Sequence, residues 1–204
     1  MKIVCLDLEG VLVPEIWIAF SEQAGIPELR RTTRDEPDYD RLMKFRLEVL
    51  ARHQLGLRDI QRVIGAMEPL PGGREFLDAL REDYQVIILS DTFHEFAHPL
   101  MRRLAWPTLF CHSLETSADG RVTGYHLRMP EQKREAVRRF RELNFLVVAA
   151  GDSYNDTKML AAAHAGILFH PPENVIREFP QYPVTRTYAE LRTEIDRAFA
   201  LLAG

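Results

Sequence analysis

The sequence predicts an α/β fold, with a Rossmann-like parallel sheet flanked by helices and a small helical cap inserted after the first strand. Two observations predict it. Short, continuous apolar runs alternate with segments of helical periodicity, and one long stretch near the N-terminus holds helical patterns alone. Continuous apolar runs are typical of strands buried on both faces of a parallel sheet. At 204 residues the chain can form one core with a modest insert.

The core elements follow from these patterns. The predicted strands are partly β-branched and bounded by polar or turn residues, and they span residues 3–8, 86–89, 145–150 and 167–169. The predicted core helices span residues 73–83, 93–104, 131–143, 154–164 and 188–202. Residues 108–127 contain Ser117-Ala118-Asp119-Gly120 between two short runs, which indicates a β-hairpin.

The predicted cap is the segment that lacks a strand pattern. Residues 15–70 contain helical patterns over 16–24, 39–53 and 57–67 and no convincing strand. We therefore predict a catalytic core of residues 1–14 and 71–204, interrupted by a helical cap of residues 15–70.

Charge and cysteine content restrict the class of partner and the setting. The formal net charge of −4 gives no general attraction to nucleic acid or to an anionic membrane. No apolar run approaches the ~18 residues of a membrane-spanning helix. The two cysteines include Cys5 inside a buried-strand pattern, so we expect reduced thiols and a cytoplasmic protein.

Polar residues gather where the predicted strands end. Asp7 and Glu9 follow the first strand, Ser90 and Asp91 follow the second, and a segment beginning at Gly151-Asp152 follows the third. Any one cluster could be a helix N-cap. In open parallel sheets, however, the ligand crevice lies at the carboxyl ends of the strands, so the clusters should converge on one site.

The chemistry of that site follows from its residue types. Asp7 and Glu9 are two residues apart, and their mutual repulsion in a strand would be relieved by a divalent cation. Several carboxylates without clustered cysteine or paired histidine favour Mg²⁺ over Zn²⁺. Ser90 and a following helix start could hold a phosphate, with Lys133 as its cation, although an isolated lysine is more often a surface residue.

These motifs together resemble those of the haloacid dehalogenase superfamily of phosphotransferases. They appear in the family's order and cover nearly the whole chain: Asp7-Leu8-Glu9-Gly10-Val11, Ser90, Lys133 and Gly151-Asp152-x-x-Asn155-Asp156. The sequence is closer still to phosphoserine phosphatases with a small helical cap, and to the group among them that also transfers phosphate to homoserine. Glu9 departs from the usual Asp of the family, and Asp91-Thr92 stand where these phosphatases have Gly-Gly.

The resemblance implies a set of roles. Asp7 would be the nucleophile that forms an aspartyl phosphate, and Glu9 the general acid and base. Mg²⁺ would be held by Asp7, the Glu9 carbonyl and Asp152. Substrate contacts would come from Glu15 and Arg46, which read the amino and carboxylate groups of phosphoserine, and from Ser90, Asp91, Lys133 and Asn155 at the phosphate.

The expected function is therefore Mg²⁺-dependent hydrolysis of phosphoserine, with phosphate transfer to homoserine as a second activity. Two alternatives remain open. One is a phosphatase for another small phosphomonoester. The other, which is not an enzyme, is a receiver-like signalling domain phosphorylated on aspartate. Residues 15–70 and Ser90 argue against a receiver, which needs no helical insert.

Overall fold

A central sheet organises the computed structural model, which describes residues 1–32, 35, 36 and 38–203. Its strands, in chain order, are β1 (Lys2–Leu6), β2 (Gln85–Phe93), β3 (Thr108–Thr116), β4 (Val122–His126), β5 (Leu146–Gly151), β6 (Ala165–Phe169) and β7 (Val184–Thr185). Their order across the sheet is β4-β3-β2-β1-β5-β6-β7. All neighbours are parallel except β3 and β4, which are antiparallel.

Helices cover both faces of the sheet, and this confirms the predicted α/β fold class. The core helices are α4 (Gly73–Asp83), α5 (His94–Arg103), α6 (Gln132–Glu142), α7 (Thr157–Ala162), α8 (Glu173–Glu178) and α9 (Tyr188–Ala203). Helices α4, α5 and α9 pack on one face, whereas α6, α7 and α8 pack on the other. The central strands are buried on both faces, as their continuous apolar runs require.

Residues 15–70 form helices α1 (Ile16–Ala24), α2 (Tyr39–Arg52) and α3 (Leu57–Ala66), and a 3₁₀ turn at Pro27–Arg30. Within the described part of this segment there is no strand, as the sequence predicts. Its apolar side chains belong to the same buried cluster as those of α4 and α5. The Leu70 backbone N–H donates to the Leu12 carbonyl at 2.9 Å, which brings the two ends of the segment together. The domain boundaries stay a prediction.

Hydrogen bonds connect helix α3 to the core. Its first residue, Leu57, donates to the Gly120 carbonyl in the β3–β4 turn at 2.9 Å. The Gln61 amide donates to the Glu95 carbonyl at 2.8 Å, and Arg103 donates to the Gly65 carbonyl at 2.9 Å. The insert therefore sits on α5 and on the β3–β4 hairpin.

Several elements differ from the sequence-based expectation. Strand β2 was predicted to end at Leu89 but runs to Phe93, because it pairs again with β3 at Phe93 and His112 after an irregular register. The predicted hairpin of residues 108–127 is confirmed, and its first strand also joins the main sheet. The helix predicted over 154–164 is a 3₁₀ turn followed by the short α7. Helix α8 and strand β7 were not predicted.

None of the described helices is long and apolar enough to cross a membrane.

Candidate active site

The first strand delivers Asp7 to the carboxyl edge of the sheet. The Asp7 backbone N–H donates to the Ala150 carbonyl at 3.0 Å, so the β1–β5 pairing continues to this residue. Its carboxylate accepts a hydrogen bond from the Leu8 N–H at 2.7 Å, and the residue is 4% exposed. A buried carboxylate with a fixed orientation is suited to attack an electrophile presented from the open side of the sheet.

Gly10 lets the loop after β1 approach Asp152 closely. A Cβ atom built on Gly10 would lie 2.5 Å from Asp152 Oδ2, and the backbone of Gly10 has a φ of +76°. Any side chain here would collide with that carboxylate and would also strain the backbone. The close contact between this loop and Asp152 thus explains the glycine at position 10.

Lys133 lies among carboxylates from three parts of the chain. Its Nζ is 2.9 Å from Asp7 Oδ1, 2.9 Å from Asp156 Oδ1 and 3.6 Å from Asp91 Oδ2. Burial by itself would lower the pKa of Lys133, but Asp156 and Asp7 outweigh it and hold that pKa well above its ordinary value. Lys133 is therefore a buried permanent cation and not a surface lysine.

Three carboxylates crowd one point at the sheet edge. Asp7, Asp152 and Asp156 offer oxygen atoms that all lie within 4.8 Å of one another. Burial raises the pKa of Asp7 well above its usual range, and Asp156 raises it further. Burial and Asp156 likewise raise the pKa of Asp152 to about 7. Such mutual repulsion is what a bound divalent cation relieves, and the all-oxygen donor set suits Mg²⁺.

Asp156, whose role the sequence left open, is fully buried and holds this end of the site together. Its Oδ1 accepts from Lys133, and its Oδ2 accepts the backbone N–H groups of Asp152 at 3.0 Å and Ser153 at 3.2 Å. A side chain at Gly151 would collide with it. Asp156 thus fixes both the lysine and the loop that carries Asp152.

Glu9 is directed toward the first turn of α1. Its Oε2 accepts a hydrogen bond from the Ile16 N–H at 2.8 Å. Burial and the nearby charge of Glu15 raise the pKa of Glu9 to about 8, although the Ile16 hydrogen bond and Arg46 act in the opposite direction. At neutral pH this carboxyl is mostly protonated, which suits a general acid.

The insert supplies a buried cation opposite the sheet. Arg46 is 6% exposed, and its guanidinium carbon lies 4.4 Å from the centroid of the Trp17 ring. Its Nη2 donates to the Arg31 carbonyl at 2.8 Å, but within the described part of the chain its Nε–H has no hydrogen-bond acceptor. Burial lowers the pKa of Arg46 to about 10, so it stays charged at neutral pH. A buried donor without a partner indicates space for an anionic ligand.

Two residues that hold Ser90 and Asp91 in place were not predicted from the sequence. The Tyr39 hydroxyl, at the start of α2, donates to the Asp91 carbonyl at 3.0 Å. The Gln132 amide, at the start of α6, donates to the Ser90 carbonyl at 2.5 Å. Gln132 could have been found from its position next to Lys133, whereas nothing in the local sequence marks Tyr39.

All the predicted site residues line one cavity of about 640 Å³ between the sheet edge and the insert. They are Asp7, Glu9, Glu15, Arg46, Ser90, Asp91, Lys133, Asp152 and Asn155. Tyr39 and Trp17 line it as well. The structure therefore brings together residues from every predicted motif, and their individual roles stay predictions.

The fold and this cavity define a class: an α/β enzyme whose carboxylates and buried lysine meet at the carboxyl edge of a parallel sheet, beneath a helical insert. Residues 1–164 match the family of haloacid dehalogenase-like hydrolases, and the chain belongs to that family. The expectation from the sequence motifs is thereby confirmed.

Two curated relatives agree with this assignment, and a solved structure shares the fold. The chain is 62% identical over 198 residues to phosphoserine phosphatase ThrH of Pseudomonas aeruginosa, covering 97% of each chain. It is 60% identical to a phosphoserine phosphatase of Pseudomonas syringae pv. tomato, covering 97% of this chain and 84% of the relative. A solved structure described as a phospho-aspartyl intermediate analogue of phosphoserine phosphatase shares the fold, with a TM-score of 0.76 and 17% identity, over 95% of this chain and 98% of the other.

Proposed function

We propose that the protein is a Mg²⁺-dependent phosphoserine phosphatase that acts through an aspartyl phosphate on Asp7. The observation that carries the proposal is that Asp7, Lys133 and Arg46 line one cavity, and that the buried Nε–H of Arg46 has no acceptor among the described residues. The side of the cavity with Asp7 and Lys133 suits a phosphoryl group, and the side with Arg46 suits a carboxylate. The 62% identical relative is named as a phosphoserine phosphatase, which supports the same substrate.

The oxygen donors of the acidic cluster fit Mg²⁺. Asp7, the backbone carbonyl of Glu9 and Asp152 would hold the ion. When bound, Mg²⁺ offsets the repulsion between an anionic nucleophile and an anionic phosphate.

In the first step an Asp7 carboxylate oxygen attacks phosphorus, and the bond between phosphorus and the serine oxygen breaks. Glu9, protonated at neutral pH, gives its proton to the departing alkoxide, so serine leaves as the neutral alcohol. Ser90, the backbone N–H of Asp91 and Lys133 hold the phosphoryl oxygens as charge develops on them, with Asn155 beside them.

In the second step water attacks phosphorus of the aspartyl phosphate. Glu9, now a carboxylate, removes a proton from that water, and the bond between phosphorus and the Asp7 oxygen breaks to release phosphate. The free carboxylate of Asp7 and the protonated Glu9 are thereby regenerated.

Recognition of the amino acid comes from the insert. Arg46 binds the substrate carboxylate through its planar guanidinium, and the Glu15 carboxylate binds the ammonium group. Residues 15–70 thus act as a cap over a core of residues 1–14 and 71–204. We further propose a cytoplasmic enzyme whose partners are small molecules.

A panel of phosphomonoesters tests the substrate. Hydrolysis of phosphoserine should exceed that of phosphoethanolamine, which lacks the carboxylate, and of glycerol phosphate, which lacks both groups. Equal rates on all three would favour a phosphatase for another small phosphomonoester. No turnover of any of them with Mg²⁺ would remove the proposal.

Transfer to homoserine is the finer part of the proposal. An aspartyl phosphate can be attacked by any hydroxyl that reaches it, and homoserine differs from serine by one methylene, which a pocket discriminates by only about 1–3 kcal/mol. Phosphorus NMR of enzyme, Mg²⁺, phosphoserine and excess homoserine should show O-phosphohomoserine beside free phosphate. Free phosphate as the sole product would leave hydrolysis alone.

A further inference from the structure

The Asp91 carboxylate is surrounded by donors from other elements. Its Oδ1 accepts a hydrogen bond from Gln132 Nε2 at 3.3 Å and lies 3.7 Å from His112 Nε2. Its Oδ2 accepts from Asn155 Nδ2 at 3.3 Å and lies 3.6 Å from Lys133 Nζ. Two of these contacts are hydrogen bonds, and the imidazole and the ammonium group are electrostatic neighbours just beyond hydrogen-bond distance. Asp91 lines the cavity, and each of its carboxylate oxygens accepts one hydrogen bond from the core.

A hydrogen bond at Nδ1, the ring nitrogen away from Asp91, sets the orientation of the His112 ring. His112 is buried on β3, and its Nδ1 accepts a hydrogen bond from the Arg128 backbone N–H at 3.1 Å. An imidazole that accepts at Nδ1 carries its proton on Nε2 when it is neutral. The neutral ring therefore presents its Nε2–H, and not a lone pair, to the Asp91 carboxylate 3.7 Å away, an electrostatic contact just beyond hydrogen-bond distance.

Gln132 is fixed in the same way. Its Oε1 accepts from Arg128 Nε at 3.2 Å and from Nη2 at 2.9 Å, which leaves Nε2 to donate to both Ser90 and Asp91. Arg128 therefore orients both groups that face Oδ1 of Asp91, namely the Gln132 amide and the His112 ring. The network lies entirely on the core side of the cavity.

We infer that His112 is a positioning residue: with Gln132 it holds the Asp91 carboxylate, which in turn orients the Asn155 amide and Lys133. The Asn155 side chain is fixed at its other end as well, because its Oδ1 accepts from Ser153 Oγ at 2.5 Å. The inference rests on the proposed function in one respect, namely that Lys133 and Asn155 act on a phosphoryl group.

Two substitutions distinguish the N–H group of His112 from the volume of its side chain. His112→Gln keeps an N–H donor at a similar reach, whereas His112→Leu removes it. Removal of the N–H that faces the Asp91 carboxylate should lower kcat for phosphoserine about tenfold in His112→Leu, a barrier change of ~1.4 kcal/mol. KM should change less than about twofold, because Glu15 and Arg46 are untouched. His112→Gln should recover kcat to within about threefold of wild type.

His164 provides a matched control. Its Nδ1 likewise accepts a backbone N–H, from Val147 at 3.0 Å, but it lies at the opposite edge of the sheet, before β6. His164→Leu should leave kcat within about twofold of wild type. Equal losses in His112→Leu and His112→Gln, or no loss in His112→Leu, would overturn the inference.

A second measurement does not depend on turnover. Nitrogen-15 NMR of histidine-labelled protein at pH 7 should show His112 as the neutral Nε2–H tautomer, and Asp91→Asn should shift its Nε2 signal. Asp119→Asn, on the exposed hairpin turn, should not. An Nδ1–H tautomer, or no response to Asp91→Asn, would refute the inference even if His112→Leu failed to fold. If wild type hydrolysed no phosphomonoester, the proposed function would fail and the NMR result would still decide the role of His112.

Discussion

Replacing Asp152 by Asn should stabilise the metal-free protein while weakening Mg²⁺ binding. Asp152 is 8% exposed, and burial together with Asp156 raises its pKa from 3.8 to about 7. A rise of that size corresponds to about 4 kcal/mol, at ~1.4 kcal/mol for each pKa unit. This is the cost of ionising Asp152 in the folded protein, and the neutral amide of Asn does not incur it.

The raised pKa of Asp152 determines the pH range in which Asp152→Asn stabilises the protein. Because the folded-state pKa of Asp152 is raised, the protonated carboxyl favours the folded protein below pH 3.8, and that stability is lost as the pH rises through about 7. Wild type and variant should therefore unfold alike near pH 4. Above pH 7 the variant should be more stable by up to about 4 kcal/mol, or on the order of 10 °C in Tm for a chain of this length.

Thermal unfolding in EDTA at pH 4 and pH 8 checks this directly. Asp119 is the control, because its pKa is lowered, chiefly by its hydrogen bond with Ser117, so Asp119→Asn should not stabilise the protein at pH 8. Adding Mg²⁺ at about a hundred times its Kd should stabilise wild type by about 2.7 kcal/mol and the variant by less. Equal Tm values for Asp152→Asn and wild type at pH 8 in EDTA would refute the reasoning.

Three further substitutions test the assigned roles. Asp7→Asn should fold and lose phosphoserine hydrolysis by several orders of magnitude in single-turnover assays; a residual rate above about a tenth of wild type, a barrier change of only ~1.4 kcal/mol, would contradict a nucleophilic Asp7. Arg46→Lys should impair hydrolysis of phosphoserine far more than that of p-nitrophenyl phosphate, since lysine cannot form the two-pronged pair with a carboxylate, and equal losses would place Arg46 outside recognition. Lys133→Met should lower the free energy of unfolding in EDTA at pH 8 by about 3–5 kcal/mol, because it removes the cation buried among Asp7, Asp91 and Asp156. Chemical denaturation measures that loss, and an unchanged midpoint would show that the lysine does not hold the cluster together.

The hydrophobic pattern of the sequence was sufficient to predict the main strands and helices, because that pattern reflects burial directly. Residues 3–6 and 145–150 are continuous apolar runs, and a strand that is buried on both faces needs such a run whichever elements pack against it. The polar residues that follow β1 and β5 had to meet, since parallel neighbouring strands share one carboxyl edge. Strand β7 is too short to show a period, and the extension of β2 depends on its partner β3.

The sequence by itself determined the α/β class, the helical insert and the identity of the residues at the sheet edge, because each follows from hydrophobic period or from a motif of short range. Only the tertiary structure decided how those residues are held. Tyr39 contacts the Asp91 carbonyl across 52 positions of sequence. His112 presents its Nε2–H to the Asp91 carboxylate only because the Arg128 backbone N–H occupies its other ring nitrogen. Likewise the shifted pKa values of Asp152 and Glu9 arise from burial and from charges on other elements. Local sequence cannot specify a hydrogen-bond partner or a neighbouring charge that another element brings into place.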